Sequence, residues 1–96
     1  PPDEQLEIAN QLMADGRHGD AAVAYEDYLR VYTAGHQHDQ IMLVLAVIYA
    51  RYLSKPARAK ELFEAALPRL HDAKQIQWAR DELANLAPPP PPPRLI

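Results

Sequence analysis

The sequence predicts an all-α fold of five helices arranged as antiparallel helix pairs. Three observations carry that expectation. Apolar residues recur at helical spacing in five segments, each bounded by capping or turn residues. No stretch alternates apolar and polar residues as a half-buried strand does. Residues of the first half reappear in the second at a near-constant offset, the mark of a repeat architecture.

The first helix is announced by Pro1, Pro2 and Asp3, with Asp3 as N-cap; Leu6, Ile8, Ala9, Leu12 and Met13 follow, and Gly16 ends it. Asp20 is placed to cap the second, which carries Ala21, Ala24, Tyr25, Tyr28, Leu29 and Tyr32 and stops at Gly35. Asp39 precedes the third, expected to run to about Leu53. Ser54 is placed to cap the fourth, with Pro56 tolerated in its first turn because an amide there has no helical partner. The stripe Ala59, Leu62, Phe63, Ala66, Leu67 and Leu70 contains Pro68, which predicts a kink or an early end near Ala66. Asp72 with Gln75 three residues on has the form of a capping box opening a fifth helix through Ile76, Ala79, Leu83 and Leu86.

Ala21, Tyr25, Tyr28 and Leu29 recur as Ala59, Phe63, Ala66 and Leu67, each 38 positions later, and Ala9 and Leu12 recur as Ala46 and Tyr49 at 37. Two copies of a helix pair, then a lone helix, account for the chain. On these residues the sequence resembles the tetratricopeptide repeat. That family pairs a small residue with a large one three later in its first helix. Its second helix has an alanine, an aromatic four later and a small residue three beyond that. The likeness covers roughly Asp3 to Leu70, with the fifth helix as a solvating cap. It departs from the family at Tyr28, where a small residue is common, at Thr33, in place of a repeat-ending proline, and in lacking a first-helix tryptophan. The period also exceeds the family's roughly 34 residues.

The resemblance implies a stack whose first helices line a concave, peptide-binding surface, here a protein-interaction or scaffold module. Its ligand-facing positions fall on Leu6, Asn10 and Met13 in one repeat and on Gln40, Leu43, Val44, Val47 and Arg51 in the other. The third helix is apolar all round from Ile41 to Ile48 and must be covered all round. Either Leu43, Val44 and Val47 face a groove, or they are core under the fifth helix or the C-terminal segment. Some family members clamp a peptide's terminal carboxylate with lysine and asparagine; Leu6 and Val44 occupy two of those places, so no clamp is expected.

The remaining signals bound the function. A net charge of −3 and no Lys/Arg cluster argue against nucleic acid. The absence of cysteine removes disulfides, thiolate metal sites and thiol catalysis, and fits a reducing, cytoplasmic setting. The most apolar stretch is shorter than the roughly 20 residues a membrane span needs. Ser54 and Thr33 are the only hydroxyl nucleophiles besides tyrosine, and no glycine-rich phosphate loop is present, so no enzyme and no cofactor are expected. His36 and His38 beside Asp39 are a weak metal signal, and none is expected; His18 and His71 read as solvated turn residues. Trp78 is a packing residue or an exposed anchor, which spacing does not decide.

The helical domain is expected over 1–87, with a polyproline segment over 88–96, and the start at Pro1 reads as an excised domain. Pro88–Pro93 codes for an extended left-handed helix, a spacer or a ligand for an aromatic-lined groove. The expected partner is a protein or peptide, without membrane insertion. The alternative is a structural oligomerisation module that self-associates, with the proline segment as ligand or spacer.

Overall fold

The computed structural model describes residues 2–86, with side chains from Glu4 onward. Within them lie five α-helices and no strand: α1 Pro2–Ala14, α2 His18–Val31, α3 His36–Arg51, α4 Pro56–Ala66 and α5 Ala73–Asn85, with a 3-10 turn at Leu67–Arg69 between the last two. Asp3, expected to cap the first helix, lies inside α1, which already begins at Pro2; the proline segment 88–96 with its boundary after Ala87 lies outside what is described.

Helix ends show which local signals won. Gly16 terminates α1 at φ +78, with its N–H bonded to the Met13 carbonyl at 3.0 Å and the Arg17 N–H bonded to that of Leu12 at 2.9 Å. This is the six-residue closure that a left-handed residue makes possible. The equivalent turn after α3 uses Ser54 at φ +52, 38 residues later, so Ser54 shapes the turn and does not cap α4. Lys55 is the N-cap there, without a side-chain bond, and Pro56 opens the helix.

Asp20 is likewise not a cap, and Asp39 does not precede the third helix. Asp20 sits in the first turn of α2, which begins at His18 behind Arg17, and forms an exposed ion pair with Arg17 at 2.5 Å. Helix α2 stops at Val31, short of Gly35, because Gly35 at φ +100 is the N-cap of α3. Asp39 lies inside α3 and is buried. The expected break near Ala66 is present: α4 ends there and Pro68 falls in the 3-10 turn. Asp72 does cap α5, accepting from the N–H groups of Lys74 at 2.8 Å and Gln75 at 3.4 Å. The second half of the expected box is missing, because the Gln75 amide is engaged elsewhere, with Gln40.

Helices α1 and α2 pack together, as do α3 and α4; α2 lies on α3, and α5 rests on α4 and the 3-10 turn. Loops as short as Asp15–Arg17 force each pair antiparallel. The core draws on every helix, and Tyr25, Leu45, Ile48 and Phe63 are its largest fully buried side chains. Burying each contributes about 1.5–3 kcal/mol. Ala9, Ala21, Ala46, Ala59 and Ala66 have no exposed surface, consistent with helices approaching closely at small residues. Tyr28 is buried and packs on Tyr32 with ring centres 4.8 Å apart, so the tyrosine stripe of α2 belongs mostly to the interior.

Candidate functional site: an apolar groove across α1, α3 and α5

Six of the eight residues from Ile41 to Ile48 are buried, and the two that are not, Val44 and Val47, mark the face of α3 left open. Val44 is 39% exposed and Val47 is half-buried. They form the floor of a groove of ≈ 370 Å³ together with Leu43 and Ile48. Met13 enters from the end of α1, Tyr52 from the C-cap of α3, and Gln75 and Trp78 from the first half of α5. No charged side chain lines it among the described residues.

The walls are held by specific contacts. Tyr52 stacks face to face on His18 with ring centres 3.9 Å apart and planes 14° from parallel. Trp78 meets Phe63 edge to face at 5.9 Å and remains 38% exposed, so it is at once packed and available to the groove. At one end the amides of Gln40 and Gln75 bond to each other. Beyond the groove, Arg51 reaches Glu82 at 2.7 Å, a further link between α3 and α5.

Of the eight residues expected at a ligand-facing surface, Met13, Gln40, Leu43, Val44 and Val47 converge in this groove. Leu6 does not: it is buried in the core cluster with Ala9. Asn10 accepts a hydrogen bond from the Tyr25 hydroxyl and lies in a separate, more polar depression with Glu4, Glu7, Ile8 and Gln11. Arg51, drawn to Glu82, borders a third depression near Ser54 and Leu86. The choice between groove and core therefore divides by residue, with Leu43 buried, Val44 open and Val47 between them.

The residues expected at the surface did not include Tyr52, Gln75 and Trp78, because the fifth helix was read as a solvating cap and spacing left Trp78 undecided between packing and exposure. A signal was available. Gln75 and Trp78 stand 35 positions beyond Gln40 and Leu43, the register of a third first-helix. His18 was also misplaced: it opens α2 and is half-buried against Tyr52.

Two carboxylates elsewhere brace the scaffold. Glu26 accepts from the Tyr49 hydroxyl at 2.8 Å and twice from the Arg58 guanidinium, at 2.7 and 3.1 Å. Burial alone would push its carboxyl up, but the Arg58 and Tyr49 bonds hold it below its ordinary value. Tyr49 is pushed up in turn, by burial and by the adjacent Glu26. Asp39 repeats the pattern: burial opposes its charge, yet Arg69 at 2.5 Å and His38 at 3.2 Å hold it below the usual aspartate value. His36 is exposed in the same turn of α3, and positions two apart on a helix do not face one another. Among the described residues no three His, Cys, Asp or Glu side chains gather as metal ligands, and no helix is long and apolar enough to cross a membrane.

Compared with known proteins, the chain matches no family model, no curated protein and no solved structure.

Proposed function

We propose that the chain is a binding module, not an enzyme, and that the groove across α1, α3 and α5 receives a segment of another polypeptide. The observation that carries this is a ≈ 370 Å³ concavity floored by valine and leucine and flanked by Tyr52 and Trp78, without a charge in its lining. Side chains of this kind accept apolar anchors from a peptide, each contributing about 1.5–3 kcal/mol before ordering costs. The tetratricopeptide resemblance supports the same reading: of its motif residues, Ala9, Ala21, Tyr25, Tyr28, Ala46, Ala59, Phe63 and Ala66 are buried, and Leu12 and Tyr49 half-buried. In that arrangement the first helices of successive pairs line the concave side. Here α1, α3 and α5 contribute the groove residues.

Adjacent residues supply the test. Val44→Glu places a carboxylate on the exposed groove floor, whereas Leu43→Glu places one in the core. Titration of helical, extended and proline-rich peptides, followed by calorimetry, is expected to find a ligand that Val44→Glu rejects while its melting temperature stays near that of the parent. Leu43→Glu is expected to unfold. Affinity is expected to change little between low and high salt, because no charge lines the site. A Val44→Glu chain that binds every peptide as the parent does would end the receptor reading.

A further inference from the structure

The two aromatic residues of the groove are half-exposed, and neither uses its polar atom. Trp78 is 38% and Tyr52 52% exposed, and neither the indole N–H nor the hydroxyl has a hydrogen-bond partner among the described residues. Apolar ring faces beside spare donors suit one kind of backbone above others. A polyproline II strand presents flat pyrrolidine rings and unpaired carbonyls, has no N–H of its own, and has little conformational freedom left to lose. The chain encodes such a strand, Pro88–Pro93, two residues after Leu86 caps α5. On the receptor reading above, we infer that the groove takes the proline segment 88–93 of a second copy of this chain.

The backbone at the end of α5 favours a second copy over the same one. Trp78 lies about 10 Å back along α5 from Asn85, so the segment would have to reverse at once to reach it. Leu86 has already left the helix at φ −61, ψ 131, the polyproline II region. Ala87 precedes a proline in the sequence, and a residue there is disfavoured from continuing a helix. No Gly, Asn or Asp stands between Asn85 and Pro88 to supply a reversal. Six prolines in this conformation span roughly 19 Å, and part of such a rod can lie across Val44, Tyr52 and Trp78 of a neighbour's groove. The contact is head to tail, tail of one copy on groove of the next, and two copies can close it by reciprocal exchange.

Trp78 is the sole tryptophan, so its emission reports directly on the groove. The test follows mass by sedimentation and emission by fluorescence across a concentration series of the full 96-residue chain. Mass is expected to rise with concentration as the emission moves to shorter wavelength. Pro89→Gly with Pro91→Gly, which breaks the rod, is expected to weaken association about tenfold or more. Val44→Glu is expected to do the same from the groove side, with Tyr52→Ser as a second groove variant should Val44→Glu lower the melting temperature. Mixing the proline variant with the groove variant restores one intact tail and one intact groove, and a heterodimer is expected. A mass that stays that of one chain at every concentration overturns the inference, as does association that the proline variant leaves unchanged. A tail-dependent emission shift that ignores concentration overturns it too, because the occupant is then the chain's own segment. If other peptides fill the groove while this tail does not, the inference falls and the receptor reading stands; if no peptide does, both fall.

Discussion

The side-chain amides of Gln40 and Gln75 exchange two hydrogen bonds, at 2.7 and 3.2 Å, and so tie the start of α3 to the start of α5 across one end of the groove. Apart from this pair and Arg51 with Glu82, α5 rests mainly on α4 and the 3-10 turn. The glutamine pair therefore helps set where Trp78 stands relative to Val44. Replacing either glutamine by alanine leaves a half-buried amide unpaired, at a cost of about 1 kcal/mol. The Gln40→Ala, Gln75→Ala double variant is expected to cost less than the sum of the singles. Urea denaturation of the four chains reads the difference.

Gly16 and Ser54 hold the same left-handed backbone in the two hairpin turns, and only one is suited to it. Ser54→Gly is expected to stabilise the chain by about 0.5–1 kcal/mol by relieving that conformation. Gly16→Ala is expected to destabilise by about 1–2 kcal/mol. A Cβ at Gly16 would meet nothing within 4 Å, so the cost there is backbone strain and not a clash. Thermal melts of the two single variants should move in opposite directions.

Acid should unfold the chain through its two braced carboxylates. Glu26 and Asp39 hold protons more weakly in the folded state than in the unfolded one, because Arg58 with Tyr49, and Arg69 with His38, bond to the ionised forms. Their stabilisation is complete above the ordinary carboxyl range of about pH 4. It is lost as pH falls through the lowered folded values. The urea midpoint should fall below about pH 4. Glu26→Gln and Asp39→Asn should each lower stability at neutral pH and flatten the acid slope. An unchanged slope in both variants would assign the acid sensitivity to other groups.

Phe63 has no exposed surface and supports Trp78 edge-on. Phe63→Ala is expected to cost about 3–5 kcal/mol, a large share of the stability of a domain this small. Phe63→Leu should keep the fold while loosening Trp78, visible as a red shift in its emission.

The features legible in the sequence were those that neighbours along the chain decide. Pro68 ended α4 where ring geometry says it must, and Asp72 capped α5 because its carboxylate reached amides two and three residues away. Asp39 was expected just before α3 and instead lies within it, where its partner is Arg69, 30 residues on, and spacing carries no trace of that bond. Gln75 was read as half of a capping box and instead bonds Gln40, 35 residues back. The same limit applied at the groove. Val44 and Val47 could be named from the all-apolar run of α3, whereas Tyr52 depended on His18, 34 residues back at the start of α2, and Trp78 on how α5 docks. Leu6 was misassigned because a family's ligand-facing register was carried onto a position that this helix pair buries.

Helix α3 is committed on six of the eight residues from Ile41 to Ile48, and this constrains how the module could be re-specified. Only Val44 and Val47 can drift there without disturbing the interior, so this stretch offers a lineage or a designer two letters with which to change what the groove accepts. Wider changes of preference have to be written on α5, at Met13, and at the two ends of α3, Gln40 and Tyr52. On the proposed reading, α5 is the most adaptable part of the groove, and the Ile41–Ile48 stretch of α3 its most conservative part.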